Sequence, residues 1–142
     1  MPSKKISADI TDLAHALGLL VRRLRAVSGS QGLSWTEAII LKRLSKQGPA
    51  TAAELARELG VTPQSMGSTV AALEKSGLVE RKADAKDGRR VNVAASAKGA
   101  QAHSSVVDAR RLWLAQAVSR LSEAEQRHLF AASALMTRLA QA

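Results

Sequence analysis

Residues 84–90 carry Asp84, Lys86, Asp87, Gly88, Arg89 and Arg90, and only Ala85 among them lacks charge or turn character. Two carboxylates and three cations so close together form a solvated turn, a metal loop, or a finger reaching for something negative. The metal reading fails on spacing. Asp84 and Asp87 resemble a fragment of a calcium loop, but the position of the closing glutamate is Ala95. A basic finger suits nucleic acid, because a narrow A·T-rich minor groove has a negative potential that favours arginine. Asp87, two residues before Arg89, is placed to hold that guanidinium in a bidentate pair, and Asp87-Gly88 supplies the turn.

The elements that would position this finger are legible around it. Leu78-Val79-Glu80-Arg81 and Val91-Asn92-Val93-Ala94 read as pairing strands, with Arg81 and Lys82 at the base of the hairpin; Arg89 is expected in the minor groove and Arg81, Lys82, Lys86 and Arg90 at phosphates. Upstream, Ala52–Leu59, the turn Gly60-Val61-Thr62 and Pro63–Ser76 have the form of a helix-turn-helix. On its second helix Met66, Val70 and Leu73 share one face, the expected buried stripe. The opposite side presents Gln64, Ser68, Ala71, Ala72 and Lys75, with Ser65 at its edge. Small polar residues let a helix approach base edges, and Gln and Ser can bond them. An ordinary amphipathic helix fits the same pattern. The hairpin directly behind it makes a winged arrangement the better reading.

On either side lie helices of a different kind. Ile10, Leu17 and Leu24 interleave with Leu13, Leu20 and Val27, each set repeating every seven residues, and Ser28–Gly32 breaks the pattern. Ser34-Trp35-Thr36-Glu37 is a capping box that opens a helix stopping before Gly48-Pro49, and Thr51 to Glu54 is a second box. A long helix follows Ser96 through Val106, Val107, Trp113 and Val118. A third box at Ser122 opens a last helix with Leu129, Met136 and Leu139 at heptad-like spacing. The expected fold is mainly α with a small β-hairpin wing. Residues 1–33 read as an N-terminal helix that packs along another helix, 34–99 as a winged helix-turn-helix core and 100–142 as C-terminal helices; that the two flanking segments are dimerisation helices is implied by a family resemblance carried by the core.

Composition narrows the function classes. The 142 residues hold 21 Lys and Arg against 12 Asp and Glu, a formal net charge of +9 that favours a polyanionic partner. The charge is spread: residues 1–47 carry 8 basic and 3 acidic side chains, residues 48–99 carry 8 and 6. Arg22, Arg23 and Arg25 therefore read as a solvated face, or as help in holding an anionic ligand or DNA. No cysteine is present, which removes disulfides, zinc fingers and thiol chemistry. The longest apolar run is Leu17–Val21, far short of a membrane span, so a cytoplasmic protein without a membrane partner is expected. His15, His103 and His128 stand apart with no acidic partner at ligand spacing, so no metal or cofactor is expected. No nucleophile motif, phosphate loop or His-carboxylate set suggests an enzyme.

The segment from Thr51 to Gly99, above all "LEKSGLVER" and the "DGRR" tip, resembles the winged-helix core of the MarR family of bacterial transcriptional regulators. The flanking helices match in order and length. The resemblance implies a homodimer with interleaved terminal helices, a palindromic operator in double-stranded DNA, and repression relieved by a small, often phenolic, anionic ligand. It places Thr51, Gln64, Ser65, Ser68 and Thr69 on segments used against DNA, and Asp87 and Arg89 on an acidic-x-Arg wing pattern. It also implies a ligand pocket that Trp35 could line; packing is the plainer role for both Trp35 and Trp113. The sequence departs from the family where a threonine-arginine pair is replaced by Gly67-Ser68, an aspartate-arginine pair by Ala71-Ala72, and leucine-threonine by Ala95-Ser96. Lacking cysteine, it stands outside the peroxide-sensing branch. Two other readings stay open: a sequence-tolerant DNA-structuring protein, and a helical protein-interaction module with a degenerate helix-turn-helix.

Overall fold

The computed structural model describes residues 3–142. In chain order the elements are α1 (Lys4–Ser30), α2 (Trp35–Gln47), β1 (Ala50–Thr51), α3 (Ala52–Leu59) and α4 (Pro63–Lys75). They continue with β2 (Val79–Ala83), β3 (Val91–Ala95), α5 (Ala97–Val118) and α6 (Glu123–Ala140). Residues 1–109 and 110–142 form two compact units, and the division falls within α5.

Local chemistry explains the helix starts. All three capping boxes form: the hydroxyls of Ser34, Thr51 and Ser122 accept from the amides of Glu37, Glu54 and Glu125, whose carboxylates accept in return. Thr62 caps α4 in the same way, with Pro63 in the first turn where its missing N–H costs nothing. Each such cap is worth about 1 kcal/mol. Gly60 ends α3 in the left-handed conformation, φ 67°, which frees the chain to turn into α4. Ser3 caps α1, which runs to Ser30, past the break expected at Ser28. The reason is local: the Ser28 hydroxyl bonds the Leu24 carbonyl, and the helix closes only at Gln31 and Gly32.

The first unit is organised around one core. Ile40, Leu41, Leu55, Val70 and Leu73 are fully buried, joined by Leu44, Met66, Leu78, Val79, Val93 and Val106. Burying each such side chain stabilises the fold by about 1.5–3 kcal/mol. The stripe read from α4 is thus its inward face. The sheet has three antiparallel strands in the order β1-β3-β2, where a two-stranded hairpin was expected. The added strand, Ala50–Thr51, pairs with Val93 and Asn92 and is too short to show alternation; Thr51 also serves as the cap of α3. The hairpin pairs Val79 with Ala95 through to Ala83 with Val91, shifting both strands one or two residues from the expected bounds. Leu78 stays outside because its N–H closes α4 on the Leu73 carbonyl.

In the second unit, the remainder of α5 and α6 are joined by a turn braced by Gln126, whose side-chain amide donates to the Val118 and Leu121 carbonyls. No residue of α6 is buried.

The start of α5 is pinned to the sheet. Ser96 donates its hydroxyl to the Gly77 carbonyl, accepts from the Gly99 amide, and donates its own amide to the Leu78 carbonyl. Gly99 is required by this close approach: a Cβ there would overlap the Leu78 carbonyl oxygen and lie 3.2 Å from a Leu41 methyl. Gly99→Ala is expected to cost about 1–3 kcal/mol. A lowered urea midpoint at unchanged slope would show it, and an unchanged midpoint would disprove the close packing.

Candidate nucleic-acid interface

The exposed face of α4 carries Gln64, Ser65, Ser68, Ala71, Ala72 and Lys75. It is a small-residue surface flanked by a lysine. Thr69, half-buried beside it, donates its hydroxyl to the Ser65 carbonyl. Thr51 lies off this face, half-buried in β1, where its hydroxyl accepts from the Glu54 amide. Ser68, Thr69 and Ala72 also border an open cleft of about 370 Å³, completed by Ser34, Thr36 and Glu37 at the start of α2.

The hairpin tip is shaped by its acids. The Asp84 carboxylate accepts from the Lys86 and Asp87 amides (2.8 and 3.2 Å) and from the Asn92 side-chain amide (3.1 Å). The Lys86 amide, the Asn92 side chain and the Asp87 amide hold this carboxyl below the usual aspartate range. Asp87 accepts from the backbone amide of Arg89 at 3.0 Å. The expected bidentate pair between Asp87 and the Arg89 guanidinium is absent among the described residues; one Asp87 oxygen instead accepts from the Arg89 amide and shapes the Asp87-Gly88-Arg89 turn. The pairing of Asp84 with Asn92 carries no signal in the sequence. Their meeting depends on the hairpin register, which spacing alone does not state.

The basic residues divide into two sets. Arg81 pairs with Glu74 of α4 (3.0 Å), Lys82 with Glu80 (3.6 Å), and Arg90 with Glu54 of α3. Glu54 thereby does two things, since its other oxygen caps the Thr51 amide. Lys75, Lys86 and Arg89 are exposed and have no ion pair among the described residues. Arg43, half-buried, bonds both oxygens of the exposed Glu58 (2.7 and 3.2 Å) and the Gly48 carbonyl, tying α2 to α3. The guanidinium hydrogen bonds hold the Glu58 carboxyl low. Trp35 is half-buried under the Arg25 guanidinium, 5.2 Å above its ring. Trp113 is likewise half-buried on α5.

An exposed, small-faced second helix of a helix-turn-helix, followed by a hairpin with basic residues at its tip, is the geometry of a winged DNA-binding domain. Comparison with known proteins agrees. The MarR family profile matches residues 31–90. An HTH-type transcriptional regulator of Mycobacterium bovis is 34% identical over 129 residues, covering 91% of this chain and 90% of its own. The chain belongs to the MarR family of transcriptional regulators. A second M. bovis relative, named an HTH-type transcriptional repressor, is 31% identical over 121 residues, covering 84% of this chain and 87% of its own. A putative transcriptional regulator from Pseudomonas aeruginosa shares the fold with a TM-score of 0.87 at 28% identity, over 99% of both chains. Membership makes the chain a DNA-binding regulator rather than an enzyme. No helix among the described residues is long and apolar enough to cross a membrane.

Directly after the wing, the Ser96 hydroxyl accepts from the Gly99 amide at the start of α5 and donates to the Gly77 carbonyl.

The split among cations has a measurable consequence. Lys86→Gln or Arg89→Gln is expected to reduce the slope of log K against log salt by about 1 for each phosphate no longer neutralised. Arg81→Gln and Arg90→Gln should leave that slope nearly unchanged. Anisotropy titrations of a DNA duplex across a salt series measure this, and an equal drop in slope for Arg90→Gln would mean that its pair with Glu54 opens onto DNA.

Proposed function

We propose that this regulator is a homodimeric repressor that grips a palindromic operator with two helices and two wings. The observation that carries the reading is the pairing pattern of the cations. Lys86 and Arg89 at the tip have no acidic partner among the described residues, whereas Arg81, Lys82 and Arg90 are matched by carboxylates. In this reading α4 enters the major groove with Gln64, Ser65 and Ser68 at base edges, and Thr69 and Lys75 lie beside them. Arg89 enters the flanking minor groove on a tip shaped by Asp87 and Gly88, and Lys86 meets phosphate. Half-sites lie about one helical turn apart.

The dimer is supported by what the chain leaves uncovered. Ile10, Leu13, Leu17 and Leu20 are 38–54% exposed along α1, with Leu24 half-buried at the end of the stripe. In residues 110–142, Leu112, Phe130, Leu135, Met136 and Leu139 are exposed, with Leu129 half-buried. Apolar stripes of this extent belong in interfaces. The segments 1–33 and 100–142 are therefore assigned to dimerisation and 34–99 to DNA. Repression is supported by the name of the M. bovis relative. For an anionic phenolic effector, Arg25 over Trp35 offers a cation beside an aromatic wall. An effector acts by favouring a dimer whose recognition helices no longer match the operator spacing.

Arg89→Ala is expected to weaken operator binding by about 1–3 kcal/mol while leaving the dimer intact. Unchanged affinity at fixed salt would end the wing reading. Light scattering of the native chain should give twice the monomer mass at micromolar concentration, and Leu17→Glu should give a monomer. The small α4 face also favours a second reading, a sequence-tolerant DNA-structuring protein. A regulator should prefer its site over random duplex by roughly 10³-fold or more; a ratio near unity would select the second reading.

A further inference from the structure

We infer that Asp84 is the positioning residue of the wing, setting the loop geometry through which Arg89 reaches DNA. The inference rests on the role given to Arg89 above. Four hydrogen bonds converge on Asp84. Its carboxylate takes the Lys86 and Asp87 amides and the Asn92 side chain, and its own amide donates to the Arg90 carbonyl at 2.9 Å. From Asp87 the order passes on: its carboxylate takes the Arg89 amide, and its carbonyl takes the Arg90 amide at 3.0 Å. Asn92 supplies the fixed end, since it sits on the central strand β3, paired across from Thr51 on one side and Lys82 on the other. The path from sheet to tip is thus Asn92, Asp84, Asp87, Arg89.

No apolar packing substitutes for these bonds. Ala85 is the loop's one apolar side chain and is exposed, so no hydrophobic contact anchors residues 84–90. The bonds on Asp84 involve amides and one carboxamide, and no basic side chain is consumed. A carboxylate here orders the backbone and leaves Lys86 and Arg89 unpaired. Had Asp84 paired with either cation, the tip would be ordered and lose reach together.

The test is a double-mutant cycle read by anisotropy, on a duplex selected by the wild-type protein from a random pool. Asp84→Ala is expected to weaken binding by about tenfold, with the dimer mass and thermal midpoint retained. In an Arg89→Ala background the same change should cost less than about twofold, because the residue being positioned is gone. Asp84→Asn should keep most of the affinity: its side-chain oxygen still accepts both amides, and Asn92 can turn its carboxamide to accept from the new donor. An equal loss in both backgrounds overturns the inference, as does full affinity in Asp84→Ala or a loss in Asp84→Asn matching that of alanine. Arg89→Ala without effect would overturn both this inference and the wing reading. Arg89→Ala weak with Asp84→Ala at full strength would overturn this inference alone.

Discussion

The burial of one face of α4 is the constraint on which the rest depends. Met66, Val70 and Leu73 are at most 1% exposed, and each removed side chain would cost about 2–5 kcal/mol. Once that face is fixed, the opposite one is fixed too, and Gln64, Ser65 and Ser68 are outward with no choice left to them. The hairpin inherits the same constraint. Leu78 bonds back to Leu73, Ser96 and Gly99 lock the far end of the hairpin onto Gly77 and Leu78, and β2 and β3 leave the core along a set line. Helix and wing are therefore tied to one core, which fixes the direction in which each leaves it.

Beyond the core, the balance at the tip is close. Ordering each loop residue costs about 1–2 kcal/mol of backbone entropy, and an exposed hydrogen bond returns only about 0.5–1.5 kcal/mol. Residues 84–90 bury nothing large, so their order depends on how many amides find acceptors. Asp84 and Asp87 supply acceptors in number without using side-chain cations. That is why a loop meant for a polyanion contains two acids. Glu54 and Glu74 act differently. They neutralise Arg90 and Arg81 at the base, where surface pairs are worth about 0–1 kcal/mol, too little for stability to be the main consequence. Within the hairpin, their effect is to leave Lys86 and Arg89 at the tip as the cations without an ion pair among the described residues.

What could be read in the sequence was whatever depends on near neighbours. The capping boxes at Ser34, Thr51 and Ser122, the stripe of α4 and the Asp87-Gly88 turn are each set by residues within four positions, and they stand where spacing puts them. Partnerships across the sheet were not legible. Asp84 meets Asn92 eight residues on, and Arg90 meets Glu54 thirty-six residues back. The strand Ala50–Thr51 escaped for the same reason: two residues have no periodicity, and only their pairing with Val93 and Asn92 makes them a strand. Asp87, read as a partner of the Arg89 guanidinium, bonds the Arg89 backbone amide, a contact that residue types alone do not distinguish from an ion pair.

The small face of the recognition helix follows from these two arrangements. A helix with Ser68, Ala71 and Ala72 outward has few long side chains to anchor phosphates, yet its backbone can come near the base edges. Short side chains tolerate little error in distance, since an alanine methyl reaches one van der Waals contact and no further. Such a helix reads sequence only if something else places it. Here that is the core beneath it, and in the proposed reading the wing beside it, where Lys86 and Arg89 have no ion pair among the described residues and add to the charge of Lys75 on α4. On that reading affinity falls mostly to the wing and discrimination mostly to the helix, and the contacts that tie both to one core are what make the division workable.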